Sequence, residues 1–364
     1  MRIALDAMGS DNAPDVELEG AVHASLDSDI EIVLVGDEVL LEEKLKKFSK
    51  KGNITICHAS EVIGMDEKPV IAVRKKRDSS LHVGMRLVKE GEVQGFVSAG
   101  NTGAVMVTAR TILGSIPGVA RSAISQALPT IYGDVVMLDL GANVDCTTRQ
   151  LCEFAEMGIA YSRYALGVEE PRVALLNIGE EGGKGGAVAR EAYDILSATS
   201  HINFVGNIEP RTFYESKADV VVCDGFIGNL FLKTSEAVAY FMGKMLREYF
   251  ESSSMSKIGA VLSGKALRQM RHRVDPNELP GAPLLGINGT IIIQHGSSSP
   301  RGIESAIRGA RVAIENNLND HIRNNIMKLR DADISSGDSI TDEKDDSSKL
   351  PEASEIPETP EEVQ

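Results

Sequence analysis

The 364-residue chain has no tryptophan, and its four cysteines, Cys57, Cys146, Cys152 and Cys223, form no CxxC pair. That spacing excludes a zinc-ribbon pattern and a dense disulfide framework, and it fits a reducing cytoplasm. No run approaches 18 apolar residues, so no segment qualifies as a membrane span. The N-terminus, Met1-Arg2-Ile3-Ala4-Leu5-Asp6, places an acid where a secretory signal needs its apolar stretch. Basic residues are outnumbered, 38 against 53 acidic, for a formal charge of −15. Residues 331–364 hold twelve acids and two lysines, or −10, which leaves −5 for the rest. A body so weakly acidic offers no broad footprint for a phosphate backbone, and nucleic acid is not an expected partner.

Several catalytic signatures are missing as well. There is no G-x-G-x-x-G dinucleotide fingerprint, no G-x-S-x-G elbow, no H-E-x-x-H, and no His followed five residues later by Asp. Gly259-Ala-Val-Leu-Ser-Gly-Lys-Ala266 approaches a P-loop but has Ala where a magnesium-binding hydroxyl belongs. No metal cluster is visible, and neither metal nor cofactor is expected.

What the chain does have is a repeated junction. Near-continuous Val, Ile and Leu runs at 3–7, 31–35, 54–57, 95–98, 135–140, 173–178, 203–205, 220–223 and 290–293 read as buried strands. Helix-period segments at 16–26, 38–48, 70–89, 103–113, 150–166, 187–198, 230–250 and 303–318 lie between them. The expected fold is α/β, a doubly wound, mostly parallel sheet with helices on both faces. Expected boundaries are one domain over 1–330, with a helical hairpin at about 230–275, and an acidic disordered tail over 331–364.

Six strands run straight into Gly-rich turns carrying small polar residues. They are Asp6-Ala-Met-Gly-Ser-Asp-Asn-Ala-Pro14, Ser98-Ala-Gly-Asn-Thr-Gly103, Asp139-Leu-Gly-Ala-Asn-Val-Asp145, Asn177-Ile-Gly-Glu-Glu-Gly-Gly-Lys-Gly185, Cys223-Asp-Gly-Phe-Ile-Gly-Asn229 and His295-Gly-Ser-Ser-Ser299. In a parallel sheet these turns share one edge, where helix N-terminal amides attract anions. Any one turn is explained by glycine's freedom in tight connections; six together point to a phosphate-like ligand.

These turns resemble the PlsX family of phosphate acyltransferases. The likeness extends to Ile63-Gly-Met-Asp-Glu-Lys-Pro69, Gly206-Asn-Ile-Glu209 and Gly281-Ala-Pro-Leu-Leu-Gly286, covering residues 1 to about 315. It implies transfer of a long-chain acyl group from acyl-[acyl-carrier-protein] to orthophosphate, feeding phosphatidic acid and phospholipid synthesis. It also implies a fold related to phosphate acetyltransferases and isopropylmalate dehydrogenases, and a homodimer.

Phosphate is then the nucleophile, and the protein supplies alignment, charge relief and oxyanion donors. Lys184 is the expected cation, Asn229 a donor to the carbonyl oxygen, and His295 a proton source for the departing thiolate. Gly9, Ser10, Gly100, Asn101, Thr102, Gly103, Asn143 and Ser297 are the expected phosphate or substrate contacts. Asp6, Asp139 and Asp224, each at a strand end, are expected to support these groups from behind. Helix capping is the competing role for the Asn, Thr and Asp side chains, a surface position for Lys184, and a buried structural role for His295.

An acidic carrier protein needs a basic patch. Arg74-Lys-Lys-Arg77 is one, and residues 252–274, with five basic and no acidic side chains beside Met255, Ile258, Val261 and Leu262, are another. The second stretch also suits peripheral contact with anionic lipid at the inner membrane face. Two other functions remain open on sequence alone: a short-chain phosphate acetyltransferase using acetyl-CoA, and a non-catalytic phosphate-binding scaffold.

Overall fold

The computed structural model describes residues 1–336, with side chains through Arg330. The chain begins as β1 (Arg2–Asp6), α1 (Asp15–Leu26), β2 (Glu31–Gly36), α2 (Glu38–Leu45), β3 (Ile54–His58), α3 (Pro69–Lys75), α4 (Ser80–Lys89), β4 (Gly95–Ser98) and α5 (Thr102–Ile112). The expected single helix over 70–89 is two helices. Ser79 breaks it, turning its hydroxyl to cap α4, where it accepts from the His82 amide.

A second series follows with β5 (Ala123–Pro129), β6 (Asp134–Leu138), α6 (Thr148–Leu166), β7 (Arg172–Leu176), α7 (Ala187–Ala198), β8 (Asn203–Ile208), the single turn α8 (Pro210–Phe213) and β9 (Val220–Val222). Thr147 and Gln150 form a capping box at the start of α6, and Gly167 ends that helix at φ 78°. The protruding part is three helices, α9 (Gly225–Glu251), α10 (Ser254–Leu262) and α11 (Gly264–Val274). No residue of α10 or α11 is buried.

The chain returns through β10 (Ala282–Leu285), β11 (Thr290–Ile293), α12 (Pro300–Glu315) and α13 (Leu318–Ser336). Asn317, at φ 48°, separates the last two helices, a left-handed position that Asn tolerates. The acidic segment placed at 331–364 therefore starts as helix, described as far as Ser336. Residues 337–364 lie outside those described.

The eleven strands among the described residues form one sheet in the order β3-β2-β1-β4-β11-β10-β5-β6-β9-β7-β8. Seven of its ten pairings are parallel, and the three antiparallel ones all involve β5 or β10. Neither strand is evident in the sequence, because Ala-Ile-Ser-Gln-Ala-Leu-Pro and the four-residue Ala-Pro-Leu-Leu carry proline, alanine and few β-branched residues. Their insertion divides the sheet. β1 to β4 and β11 run one way, whereas β6 to β9 run the other. Both faces are covered, one by α1, α12 and α6 and the other by α4, α5 and the start of α9.

Candidate functional site

Opposed strand directions correct the expectation that all six turns meet at one edge of the ladder. The turns assemble as three and three. At the usual rotation of about −20 to −25° per strand, the six steps from β1 to β9 amount to roughly 120–150°.

The first set follows β1, β4 and β11. Asp6 closes β1, buried, with Oδ2 accepting from Ser98 Oγ at 2.8 Å and Oδ1 from the Met8 amide at 3.1 Å. Ser98 Oγ accepts in turn from the Gly100 amide at 3.0 Å. Gly9 and Gly100 lie backbone to backbone. A Cβ on Gly9 would stand 2.4 Å from Asp6 Oδ2 and 2.9 Å from Gly100 N, so only glycine fits. The Asp11 amide donates to the Gly296 carbonyl at 3.0 Å, tying in the β11 turn.

Asn101 caps α5, its Oδ1 accepting from the Ala104 amide, while Nδ2 donates to the Met65 and Glu67 carbonyls at 2.8 and 3.1 Å. Its side chain is thereby committed to the backbone, leaving its main-chain amide for an anion. Thr102 is exposed on the first turn of α5, and Gly103 packs against the Pro69 ring. Ser10 is buried, its hydroxyl accepting from the Asn12 amide at 3.3 Å. His295 and Ser297 are both exposed, with Ser297 Oγ 2.8 Å from His295 Nδ1.

The second set follows β6, β7 and β9. Asp139 is buried, and its Oδ1 accepts from the Ile124 and Ala142 amides while Oδ2 accepts from the Asn143 amide and Asn143 Nδ2. Burial pushes this carboxyl above the ordinary aspartate range, opposed by those donors. Asn143 also donates to the Ser122 carbonyl at 2.8 Å, so its side chain too is engaged in holding the turn. A Cβ on Gly228 would fall 1.9 Å from the Asp139 carbonyl oxygen, which is how closely α9 seats on the end of β6.

Asp224 caps α9 through the Ile227 amide at 2.8 Å. Asn229, one turn further, is exposed beside Gly141, whose φ of 125° admits glycine readily. Lys184 is half-exposed in the turn after β7, with Glu181 Oε2 the acidic atom 3.9 Å from its Nζ. Its carbonyl accepts from Asn177 Nδ2 at 3.0 Å, fixing the loop while leaving the ammonium at the surface.

Sequence reasoning gave no role to Glu17, which is fully buried in the first turn of α1. Neither of its carboxyl oxygens makes a hydrogen bond of acceptable geometry. Burial pushes the group up to about 7, against the influence of nearby Ser10, and the Asp6 charge adds to the rise. An acid in a first helical turn reads as an ordinary dipole partner, so nothing in the sequence marked it.

Basic groups are arranged unevenly. Lys76 donates to the Val62 carbonyl and Glu67, so the 74–77 run is partly structural. Arg273 donates to the Thr130 carbonyl at 2.7 Å and anchors the end of α11 to the sheet. Among the described residues there is no group of three or more His, Cys, Asp or Glu placed to hold a metal ion. None of the described helices is long and apolar enough to cross a membrane.

This architecture, a mostly parallel sheet with helices on both faces, is that of the phosphotransacetylases. One from Streptococcus pyogenes aligns with a TM-score of 0.58 over 90% of this chain and 94% of its own, at 18% identity. A branched-chain phosphotransacylase from Enterococcus faecalis aligns at 0.53 over 86% and 98%, at 13% identity. The family model described as fatty acid synthesis protein matches residues 1–321. A protein named phosphate acyltransferase from Acidobacterium capsulatum is 47% identical over 310 residues, 85% of this chain and 92% of that one. Its namesake from Geobacter sulfurreducens is 46% identical over 323 residues, 88% and 93% of the two chains. The chain belongs to this family, that of the phosphate acyltransferases, and is an acyltransferase.

Proposed function

We propose that the protein transfers a long-chain acyl group from acyl-[acyl-carrier-protein] to orthophosphate, yielding acyl-phosphate for phosphatidic acid and phospholipid synthesis. The observation that carries the reading is the match to proteins named phosphate acyltransferase along nearly the whole of both chains. The geometry is compatible with the chemistry. A phosphate oxygen attacks the thioester carbonyl, a C–O bond forms, and the C–S bond breaks. The single proton of hydrogen phosphate ends on the carrier thiol, so the step is balanced without a further reactant.

Main-chain amides of the Gly9-Ser10 and Gly100–Gly103 turns bind phosphate at a helix start, where the dipole favours an anion. Lys184 offsets the charge that builds between phosphate and carbonyl, and Asn229 donates to the oxyanion. His295, bonded to Ser297, carries the proton toward the leaving sulfur. Asp6, Asp139 and Asp224 act behind these groups by fixing the turns.

The carrier protein docks on the basic 252–274 stretch, and a second copy of the chain covers the outer face of α9, where Tyr240, Phe241 and Tyr249 are exposed. Val261 and Leu262, 81% and 82% exposed at the tip of the projection, suit peripheral contact with anionic lipid. Lys184→Ala tests the mechanism. Turnover of palmitoyl-[acyl-carrier-protein] with labelled phosphate should fall on the order of 10²-fold, with the thermal midpoint unchanged. Full turnover would remove Lys184 from the reaction, and label appearing only in acetyl-phosphate from acetyl-CoA would select a short-chain enzyme.

A further inference from the structure

α9 continues from Asn229 across the sheet, and beneath it lies an elongated cavity of about 650 Å³. That volume is within the range of about 300–1,000 Å³ typical of small-molecule sites. Leu128 of β5 and Leu176 of β7 form its floor, and Phe231 of α9 stacks over Tyr214 at 5.8 Å between ring centroids. Of the lining residues only Glu236 is charged, and it faces Lys233 at 2.9 Å. The Tyr214 hydroxyl donates to Ser235 Oγ, so the aromatic wall presents no unpaired polar tip. Such a lining suits a hydrocarbon and offers no cation to a carboxylate or phosphate.

Its two ends differ. Ile227 and Leu230 line the end that flanks Asn229. The other end is lined by Val238 on α9, with Val274 and Leu279 beyond the projection. At a rise of 1.5 Å per residue, Ile227 and Val238 are about 16 Å apart along the helix. One leaflet of a bilayer's hydrocarbon core, filled by the length of one long acyl chain, is about 15 Å. The lining thus runs along α9 from residues adjacent to Asn229 in sequence for about the length of one long acyl chain.

We propose that this cavity holds the alkyl chain of the acyl thioester, with the carbonyl at Asn229 and the methyl end toward Val274 and Leu279. The assignment rests on the long-chain acyltransferase reading above. Chain-length preference is then set at the far end, by the residues that close it.

Two readouts separate the groove from the reaction. Binding of the fluorescent fatty acid cis-parinaric acid is titrated into the full-length wild type, Val238→Trp and Val274→Trp. Turnover is measured for acyl-[acyl-carrier-protein] donors from octanoyl to stearoyl. Both substituted positions are half-exposed, so folding is checked simply by thermal midpoint. The expected result is at least tenfold weaker parinaric acid binding in each variant, and at least a tenfold fall in the ratio of palmitoyl to octanoyl turnover. Wild-type and variant profiles that superimpose, or no parinaric acid binding to the wild type, would overturn the assignment. Superimposed profiles with loss of dimer mass in sedimentation would make the cavity a contact between copies instead. Parinaric acid binding that the variants weaken, with no acyl-phosphate from any donor, would leave the groove standing and sink the proposed reaction.

Discussion

Asp6 and Asp139 occupy matching places, each ending a buried strand and each withdrawn from water, but in different company. Asp139 receives four N–H donors, three from backbone and one from Asn143. Asp6 receives one amide and the Ser98 hydroxyl, with the Ser80 hydroxyl also acting on it, and the second carboxyl on its side of the sheet, Glu17, makes no hydrogen bond of good geometry. On the half of the sheet that bears Lys184 and Asn229, Asp139 is thus fully satisfied, although the buried Asn207 Oδ1 on β8 has no partner. The half that offers Gly9, Gly100 and the Asn101 amide holds an uncompensated acid. A rigid frame keeps the charged and amide side chains in place, whereas main-chain amides pinned by paired glycines need less support.

The largest expected effect follows directly. Asp139→Ala strands one buried and two half-buried backbone N–H groups and should cost about 3–5 kcal/mol of stability. Asp6→Ala strands fewer donors and relieves a repulsion with Glu17, so about 1–2 kcal/mol is expected. Denaturant midpoints of the two variants measure the contrast, and equal losses would break the comparison between the halves.

Next in size is the pH response of Glu17. Its folded-state pKa of about 7 stands above the unfolded value near 4.5, so the folded chain retains a proton that the unfolded chain has released between those values. Stability from this group is therefore full below about pH 4.5, falls as pH rises to about 7, and stays reduced above. The span corresponds to about 3 kcal/mol. Glu17→Gln removes the titration, so the midpoint difference between variant and wild type should grow in the variant's favour from pH 5 to pH 7.5. A constant difference would show that Glu17 is not held protonated.

Strands such as β1 and β11 announce themselves because Ile-Ala-Leu and Thr-Ile-Ile-Ile are apolar on both faces, as a covered strand must be. β5 and β10 do not, since Pro129 and Pro283 deny the β pattern although tertiary packing makes both strands central. Missing them also hides the reversal of direction, and with it the grouping of the turns as three and three. Within the turns, residue type was legible and commitment was not. Asn101 and Asn229 look alike in sequence, each in a Gly-rich turn before a helix. In the structure one has its side chain engaged by four backbone groups, counting the long contact to the Gly64 carbonyl, and the other stands exposed.

That contrast yields the smallest expected effects, in the two helix caps. Asn101→Ala loses the cap on α5 and the donations that hold the 64–67 segment, for about 2 kcal/mol. Asp224→Ala loses only the α9 cap, for about 1 kcal/mol. Because Asp224 also adjoins Gly225, whose amide donates to the Asn143 carbonyl at 2.7 Å, its removal should loosen the start of α9 and displace Asn229. A fall in turnover with little change in KM for phosphate is expected, since the proposed phosphate site lies on the other set of turns. Should KM for phosphate rise more than turnover falls, phosphate contacts the second half of the sheet as well. The division of labour between the halves would then have to be redrawn around Asn229.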